Sequence, residues 1–414
     1  MDHSSYLFCK NQESFFLEMN KHHAMLRVIA TFYLILMNQQ YVLAEGDQVS
    51  NVKVVAMCVA PVFGFFFVPY FSKAVGWGII YLMWLFMSMY LRFDTPRLET
   101  LGYNAMFVCA YMVFYNLVQA GAFTKEFFLK LMRYFLWAYI IFVILQQIVS
   151  VGARMGMPWI NLHYFPGENL TKVPSLSLEP SHSARIMAAM FYGFLKITEL
   201  IDGSPVTLKD LFSRYRKFTV GFLYAMISMY SGTAIFMLVL LSLYFLQRKQ
   251  LFYVIPLFIT AFLFLPDIEY DPVQRTVATS EASLTGDVEE VIHADGSAAA
   301  RVAPVLNAFK MDFSDSKTWL GYGTDAASKA GHLAAGNTIW TDRGIVCYVI
   351  GLLFVFSCAI NPFLSLATLI FFCGVGGNLV NVYYVWGILM TFTCITYFIR
   401  SSEQEKQNNE RIRM

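Results

Sequence analysis

The sequence predicts an all-α polytopic membrane protein, and its composition and hydropathy carry that prediction. Apolar residues make up 57 % of the 414 residues, and charged residues make up only 14 %, well below the roughly 25 % that is usual in a soluble domain. The mean hydropathy is +0.52. A soluble globular domain is therefore excluded. The net charge of +2 says little about partners, and we expect no nucleic-acid partner.

The apolar residues fall into runs that predict about twelve transmembrane helices within one membrane domain, residues 1–414, because a spanning helix takes about 20 residues. The predicted spans are 24–43, 53–71, 75–92, 101–121, 127–150, 184–201, 217–231, 233–247, 251–266, 338–360, 362–378 and 381–399. The first run follows a polar stretch and has no small-residue cleavage site. It is therefore predicted to be a retained helix and not a signal peptide.

The distribution of basic residues predicts the orientation of these spans. With both termini in the cytoplasm, most lysines and arginines fall on the cytoplasmic side, and the short loops of the far side hold only Lys53, Arg92 and Arg97. Two long loops then face outward, 151–183 and 267–337. The second contains an apolar-faced stretch near 302–313 that predicts a short amphipathic helix. The polar tail, 400–414, is expected to be cytoplasmic and disordered.

The segment SLSLEPSHSAR (175–185) brings three ionisable side chains to the point where the first long loop enters the membrane. Glu179, His182 and Arg185 are three residues apart, and Pro180 suits the first position of a helix, so the three would share one helix face. A carboxylate or imidazole could deprotonate a hydroxyl, and an arginine could bind phosphate oxygens. Two simpler alternatives are that Glu179 caps the helix and that Arg185 reaches lipid head groups.

Other ionisable groups also fall in the outward loops and not in the middle of the spans. This distribution argues against an ion-coupled transporter, which keeps charge near the midplane. It suits a substrate with a membrane-embedded tail and an anionic head. We expect no metal and no cofactor, because the sequence has no Asp-rich motif and its cysteines lie mostly in apolar runs. The GYGTD stretch (321–325) predicts a turn at which two backbone segments pass closely.

Several stretches of this chain resemble the bacterial polysaccharide polymerases of the O-antigen polymerase (Wzy) type, which are related to the O-antigen ligases. SLSLEPSHSAR is similar to the Glu-Pro-Ser segment of such polymerases. Arg301 followed by WLGYGTD (319–325) is similar to the arginine, short amphipathic helix and Gly-x-Gly turn of that superfamily. GHLAAGNTIWTDRGIVCYVIGLL (331–353) resembles the family's His/Asn loop, and SMYSGTAIFMLVLL (228–241) resembles its Ser/Gly-Thr helix.

This resemblance implies a glycosyltransferase fold of the C type in the bacterial inner membrane, acting on its periplasmic face without nucleotide sugar or metal. The implied donor and acceptor are oligosaccharides on undecaprenyl pyrophosphate, within the membrane lipid. Arg301, with Arg275 or Arg185 as helper, would hold the pyrophosphate, and Glu179 or His332 would act as the base. The other residues of the implied substrate site are Lys172, His182, Tyr322, Asn337 and Arg343. Lys172 stands where an arginine is expected in relatives.

Two other functions stay open at this point. The first is an O-antigen ligase, which transfers the same donor glycan to a lipid A core sugar. The second is a lipid-linked oligosaccharide flippase, against which the long second loop and the uncharged span centres count. The sequence does not give the sugars, the linkage, the oligomeric state or whether a chain-length regulator binds.

Overall fold

The computed structural model describes residues 23–40, 51–91, 98–162, 169–246, 271–294, 312–323, 339–375, 379 and 383–413. Within these ranges every extended regular element is a helix, which confirms the predicted all-α class. The helices are α1 (His23–Met37), α2 (Asn51–Phe67), α3 (Lys73–Leu91), α4 (Leu98–Gln119), α5 (Lys125–Ala153), α6 (Pro180–Asp202), α7 (Leu208–Ser213), α8 (Arg216–Ser228), α9 (Gly232–Ser242), α10 (Asp271–Thr285), α11 (Val288–Ala294), α12 (Ser316–Leu320), α13 (Ile339–Cys358), α14 (Leu366–Val375) and α15 (Tyr383–Arg413). Two short 3-10 turns, Pro158–Ile160 and Leu243–Phe245, complete the described elements.

Each predicted span other than 251–266 coincides with one of these helices over most of its length. Segment 251–266 lies outside the described residues, as does most of the amphipathic stretch near 302–313. The prediction that the tail is disordered was wrong, because α15 continues through the polar residues to Arg413. Those residues are mostly straight-chain Gln, Glu, Lys and Arg, which favour helix, and they extend a helix that the bundle has already nucleated.

Three of the described helices are long and apolar enough to cross a membrane: α3, the part Thr100–Gln119 of α4, and α5. Several large apolar side chains on these and neighbouring helices point away from the bundle. Phe66 on α2 is 70 % exposed and Met83 on α3 is 65 % exposed. Apolar surface of this extent is typical of a bundle whose outer face contacts lipid. These observations support membrane association.

Helices α6 and α15 form the centre of the bundle and run parallel to each other. Nearly all of α6 from Ser183 to Thr198 is buried. Tyr192 meets Phe392 edge to face, with ring centroids 6.2 Å apart. On another face of α6, Phe191 stacks on Phe222 of α8 at 4.0 Å. This aromatic packing fixes the position of α6 and therefore of the side chains at its N-terminus.

The two ends of the bundle differ in chemistry. We call the end at which α1 and α5 finish and α6 and α15 begin the loop end, because it carries the described loop residues 154–162 and 169–179. The opposite end, where α15 continues past Ile399, is the tail end. At the loop end the small helix α12 crosses α13 through Gly321 and Gly344, which have φ values of 87° and 79°. A Cβ at either glycine would clash with the backbone of the other segment, so the predicted close backbone crossing is confirmed.

Candidate functional site

The loop that leads into α6 is held by buried amide side chains. Gln146 of α5 accepts a 2.7 Å hydrogen bond from Ser175 N, and its Nε2 lies 2.9 Å from Ser175 O. Asn161 Nδ2 donates to the carbonyls of Ser175 and Ser177, each at 2.8 Å. Hydrogen bonds to backbone on both sides of Ser175 fix the path of the chain just before Glu179.

The same loop is fastened to the end of α1 by Gln40. The backbone N–H of Gln40 donates to Leu176 O at 2.7 Å. Its side-chain Oε1 lies 3.3 Å from Leu178 N and 3.1 Å from His182 Nδ1. A backbone N–H can only donate, so the Gln40 atom is an oxygen and His182 Nδ1 donates to it. A neutral His182 therefore carries its proton on Nδ1 and has a lone pair on Nε2.

Glu179 stands at the N-cap of α6, and Pro180 is the first helical residue, as predicted. The Glu179 backbone carbonyl accepts from His182 N and Ser183 N, but its carboxylate makes no capping bond to the first turn. That carboxylate accepts from Ser181 Oγ at 3.1 Å and lies 3.7 Å from His182 Nε2. With its side chain 61 % exposed, the carboxylate is open to a ligand at the loop end.

Arg185 lies one turn deeper than His182 and is 6 % exposed. Its Nη1 donates a 2.5 Å hydrogen bond to the hydroxyl of Tyr384, and its guanidinium carbon lies 5.0 Å from the centre of that ring. The His182 ring lies 4.4 Å from the same Tyr384 ring. Among the described residues Arg185 forms no ion pair, and its buried Nε has no hydrogen-bond partner. Arg185 therefore does not reach lipid head groups by extending outward.

Arg343 is the second buried arginine at the loop end, with 8 % of its surface exposed. It directly precedes the kink at Gly344 in α13. Its Nη1 lies 3.4 Å from the Tyr81 hydroxyl and 3.5 Å from Leu379 O. Leu379 is five residues before Tyr384, a stretch of chain that can span at most roughly 18 Å. Both buried arginines therefore contact the short segment that opens α15.

The other predicted site residues do not join this cluster within the described residues. Lys172 is exposed on the loop. Tyr322 contacts its own segment, with its hydroxyl 3.3 Å from Asp315 Oδ2 and its ring 5.6 Å from Lys317 Nζ. The Arg275 backbone belongs to α10, but its side chain is outside the described part of the chain, as are Arg301, His332 and Asn337 entirely.

Sequence reasoning missed three residues of the cluster. Tyr384 holds both His182 and Arg185, and Gln40 orients His182. Lys53, at the start of α2, is 1 % exposed and its Nζ donates to the carbonyl of Gln39. Gln39 and Gln40 are two amides within an otherwise apolar run of the sequence, and that placement is the one signal that could have found them. Tyr384 had none, because tyrosine is common in apolar helices of this chain.

The arrangement combines an exposed carboxylate, an oriented imidazole and a buried guanidinium at the start of one helix. A buried cation without a carboxylate partner is costly, and an anionic ligand would relieve that cost. Among the described residues no group of three His, Cys, Asp or Glu side chains could hold a metal ion together. Comparison with known protein families, with curated proteins and with solved structures gives no match for this chain.

Proposed function

We propose that this protein is a polysaccharide polymerase that transfers a growing glycan from undecaprenyl pyrophosphate to a lipid-linked repeat unit. The observation that carries the proposal is Arg185, a buried guanidinium that has no carboxylate partner within the described chain. It lies about one helical turn below His182 and nearly two turns below Glu179. The resemblance of SLSLEPSHSAR to the polymerase segment supports the same conclusion. In this proposal the protein is a glycosyltransferase of the C type in the bacterial inner membrane.

In this mechanism the loop end would bind the pyrophosphate of the donor with arginine side chains. Within the described chain, Arg185 Nε has no hydrogen-bond partner, and the contacts of Arg343 are long, at 3.4–3.5 Å. An arginine fork can bind two phosphate oxygens at once and can stabilise the charge on a departing pyrophosphate. Arg301 and Arg275 stay candidates for the same role.

The reaction would form a bond between an acceptor sugar hydroxyl and the anomeric carbon of the donor. The bond from that carbon to the pyrophosphate oxygen would break, and its electron pair would leave with the pyrophosphate. Glu179 is the base we favour, because its carboxylate is exposed and is not used as a helix cap. His332 is the alternative base. His182 would assist through its Nε2, which lies 3.7 Å from the Glu179 carboxylate.

The proposed orientation puts the loop end in the periplasm. The tail end carries many of the described basic residues, among them Lys73, Lys125, Arg216 and Arg400, whereas Lys53 at the loop end is buried. An excess of exposed Lys and Arg marks the cytoplasmic side of a membrane protein. Lipid-linked repeat units would then meet Glu179 and Arg185 on the outer face.

The proposal is tested by deleting the gene and separating surface and lipid-linked glycans on gels. A polymerase deletion should abolish the glycan ladder and leave single repeats on their acceptor. Long lipid-linked polymer that never reaches the core would instead indicate a ligase. Single repeats trapped on the cytoplasmic face would indicate a flippase. Either of these two results would overturn the proposal.

The base assignment is tested by complementing the deletion with Glu179→Gln. This change removes the charge and keeps the shape, so we expect polymer formation to fall by about 10²-fold or more, as is usual for a lost general base. The matched control is Glu281→Gln, at an exposed glutamate of α10. Near-normal polymer with Glu179→Gln would return Glu179 to a structural role at the helix start.

A further inference from the structure

The tail end of the bundle contains two basic side chains, Lys73 and Arg400, that line the same cavity. Some basic side chains at this end form ion pairs: Lys196 Nζ lies 2.8 Å from Glu199 Oε2, and Arg214 Nη1 lies 2.7 Å from Asp202 Oδ2. Lys73 and Arg400 form no ion pair or hydrogen bond with any part of the chain that the structure describes. These two charges are therefore available to a ligand.

Lys73 and Arg400 line one cavity of ≈ 400 Å³ between α3, α4 and α15. Its other lining residues are also polar: Tyr115, Gln119, Tyr397, Ser401 and Gln404. Each of these groups can donate a hydrogen bond, and a volume of this order is usual for a small-molecule site. Within the described residues, no carboxylate lines this cavity.

The nearest carboxylates along α15 are turned elsewhere. Glu403 lines a neighbouring cavity together with Glu199. Lys196 and Lys406 line the same cavity, so its two carboxylates are balanced by two lysines. Glu405 pairs with Lys125 at 3.5 Å. Lys73 and Arg400 consequently repel each other, and no carboxylate of the described residues compensates that repulsion within their cavity. An anion between them would remove the repulsion.

The cavity lies at the boundary between apolar and polar surface. Lys73 is the first residue of α3, one of the helices that is long and apolar enough to cross a membrane. Phe71, two residues earlier, is 75 % exposed. On the other wall, α15 passes from buried apolar residues to an exposed polar surface just after Arg400. This is the level at which lipid head groups lie.

We propose that this cavity binds the phosphate group of an anionic phospholipid, held by Lys73 and Arg400 while its acyl chains lie beside Phe71. The tyrosine and glutamine donors would bind the remaining phosphate and head-group oxygens. The site is at the opposite end of the bundle from Arg185, and it does not depend on the proposed polymerase activity. A loss of lipid binding and a loss of polymer are therefore separate results.

The test uses the full-length protein in nanodiscs of equimolar phosphatidylglycerol and phosphatidylcholine with a spin-labelled trace of either lipid. We expect the wild-type protein to retain phosphatidylglycerol over phosphatidylcholine. Lys73→Gln and Arg400→Gln should each weaken that preference about fivefold, as expected for one cation near an anionic lipid surface. Arg400→Lys keeps the charge and should keep most of the preference.

The matched control is the double variant Lys406→Gln/Arg411→Gln, which removes the same two charges from the exposed part of α15. It should leave the preference unchanged. Inorganic phosphate is titrated in parallel into discs of phosphatidylcholine alone. One contrary result is that the protein binds inorganic phosphate, loses that binding in Arg400→Gln, and shows no preference for phosphatidylglycerol. It would show that the cavity binds a soluble phosphate and not a phospholipid. A lipid preference that survives Lys73→Gln/Arg400→Gln would overturn the site itself.

Discussion

The hydroxyl of Tyr384 accepts a 2.5 Å hydrogen bond from Arg185 across a sequence separation of 199 residues. The same tyrosine ring lies 4.4 Å from the ring of His182. One aromatic side chain at the start of α15 therefore holds both a cation and an imidazole at the start of α6. Cation–π attraction and the hydroxyl bond together offset part of the cost of burying Arg185.

Removing the Tyr384 hydroxyl should misplace Arg185. Tyr384→Phe keeps the ring, and with it the contact to His182, but it takes away the hydrogen bond of Arg185 Nη1. A hydrogen bond to a charged group contributes about 1.5–3 kcal/mol, so we expect polymer formation to fall roughly tenfold to a hundredfold. The rate of ladder formation in a complemented deletion strain measures this effect.

The control for that variant is Tyr90→Phe, because Tyr90 is 79 % exposed at the end of α3. It should support wild-type polymer formation. Equal activity of Tyr384→Phe and Tyr90→Phe would contradict the role of the Tyr384 hydroxyl in positioning Arg185.

The start of α6 could be predicted from the sequence because its signals are local. Pro180 favours the first helical position, and the spacing of Glu179, His182 and Arg185 follows from helix geometry. Tyr384 and Gln40 could not be predicted in the same way. They meet Arg185 and His182 across 199 and 142 residues, and only the tertiary packing of α1, α6 and α15 creates those contacts.

His182 should be in the Nδ1–H tautomer whenever it is neutral, because Gln40 Oε1 needs a donor at Nδ1. The ¹⁵N shifts of a protein labelled in histidine report which ring nitrogen carries the proton. The signal of His182 is assigned as the one that is missing from the spectrum of His182→Gln. Gln40→Leu removes the acceptor and should shift the equilibrium toward the Nε2–H form, which usually predominates in free imidazole side chains. A protonated Nε2 and a bare Nδ1 in the neutral wild-type protein would refute the assignment.

The amides of helix α7 should lose protection against hydrogen exchange at acidic pH. Thr207 and Asp210 form a capping box, with Asp210 Oδ2 2.6 Å from Thr207 Oγ1 and 2.9 Å from Thr207 N. The hydrogen bond from the Thr207 hydroxyl, followed by that from its backbone N–H, lowers the pKa of Asp210 from its ordinary 3.8. A lowered pKa means that the stabilising effect is complete above 3.8 and is lost as the pH falls through the lower value in the folded protein.

The measurement is the set of hydrogen-exchange protection factors for the amides of α7 as a function of pH. Thr207→Ala removes the hydroxyl donor, so it should raise the pKa of Asp210 and move the loss of protection to higher pH. Asp210→Asn should remove the pH dependence. A transition in Thr207→Ala at the same pH as in the wild-type protein would show that the box does not set this pKa.

The crossing of α12 and α13 should tolerate no side chain at Gly344. This residue has φ 79° and ψ 165°, a region that is almost confined to glycine and costs other residues about 1–3 kcal/mol. A Cβ there would also clash with the backbone carbonyl of Trp319.

We expect Gly344→Ala to lower the unfolding temperature and to displace the adjacent Arg343, which should reduce polymer formation as well. Gly102→Ala is the matched control, because Gly102 lies in α4 and, apart from its own stretch of helix, no atom of the described residues comes within 4 Å of its Cβ position. Alanine in a helix is favoured over glycine by about 1 kcal/mol, so that variant should unfold at the same or a higher temperature. If Gly344→Ala and Gly102→Ala unfold at the same temperature, the backbone crossing does not require a glycine and does not hold Arg343 in place.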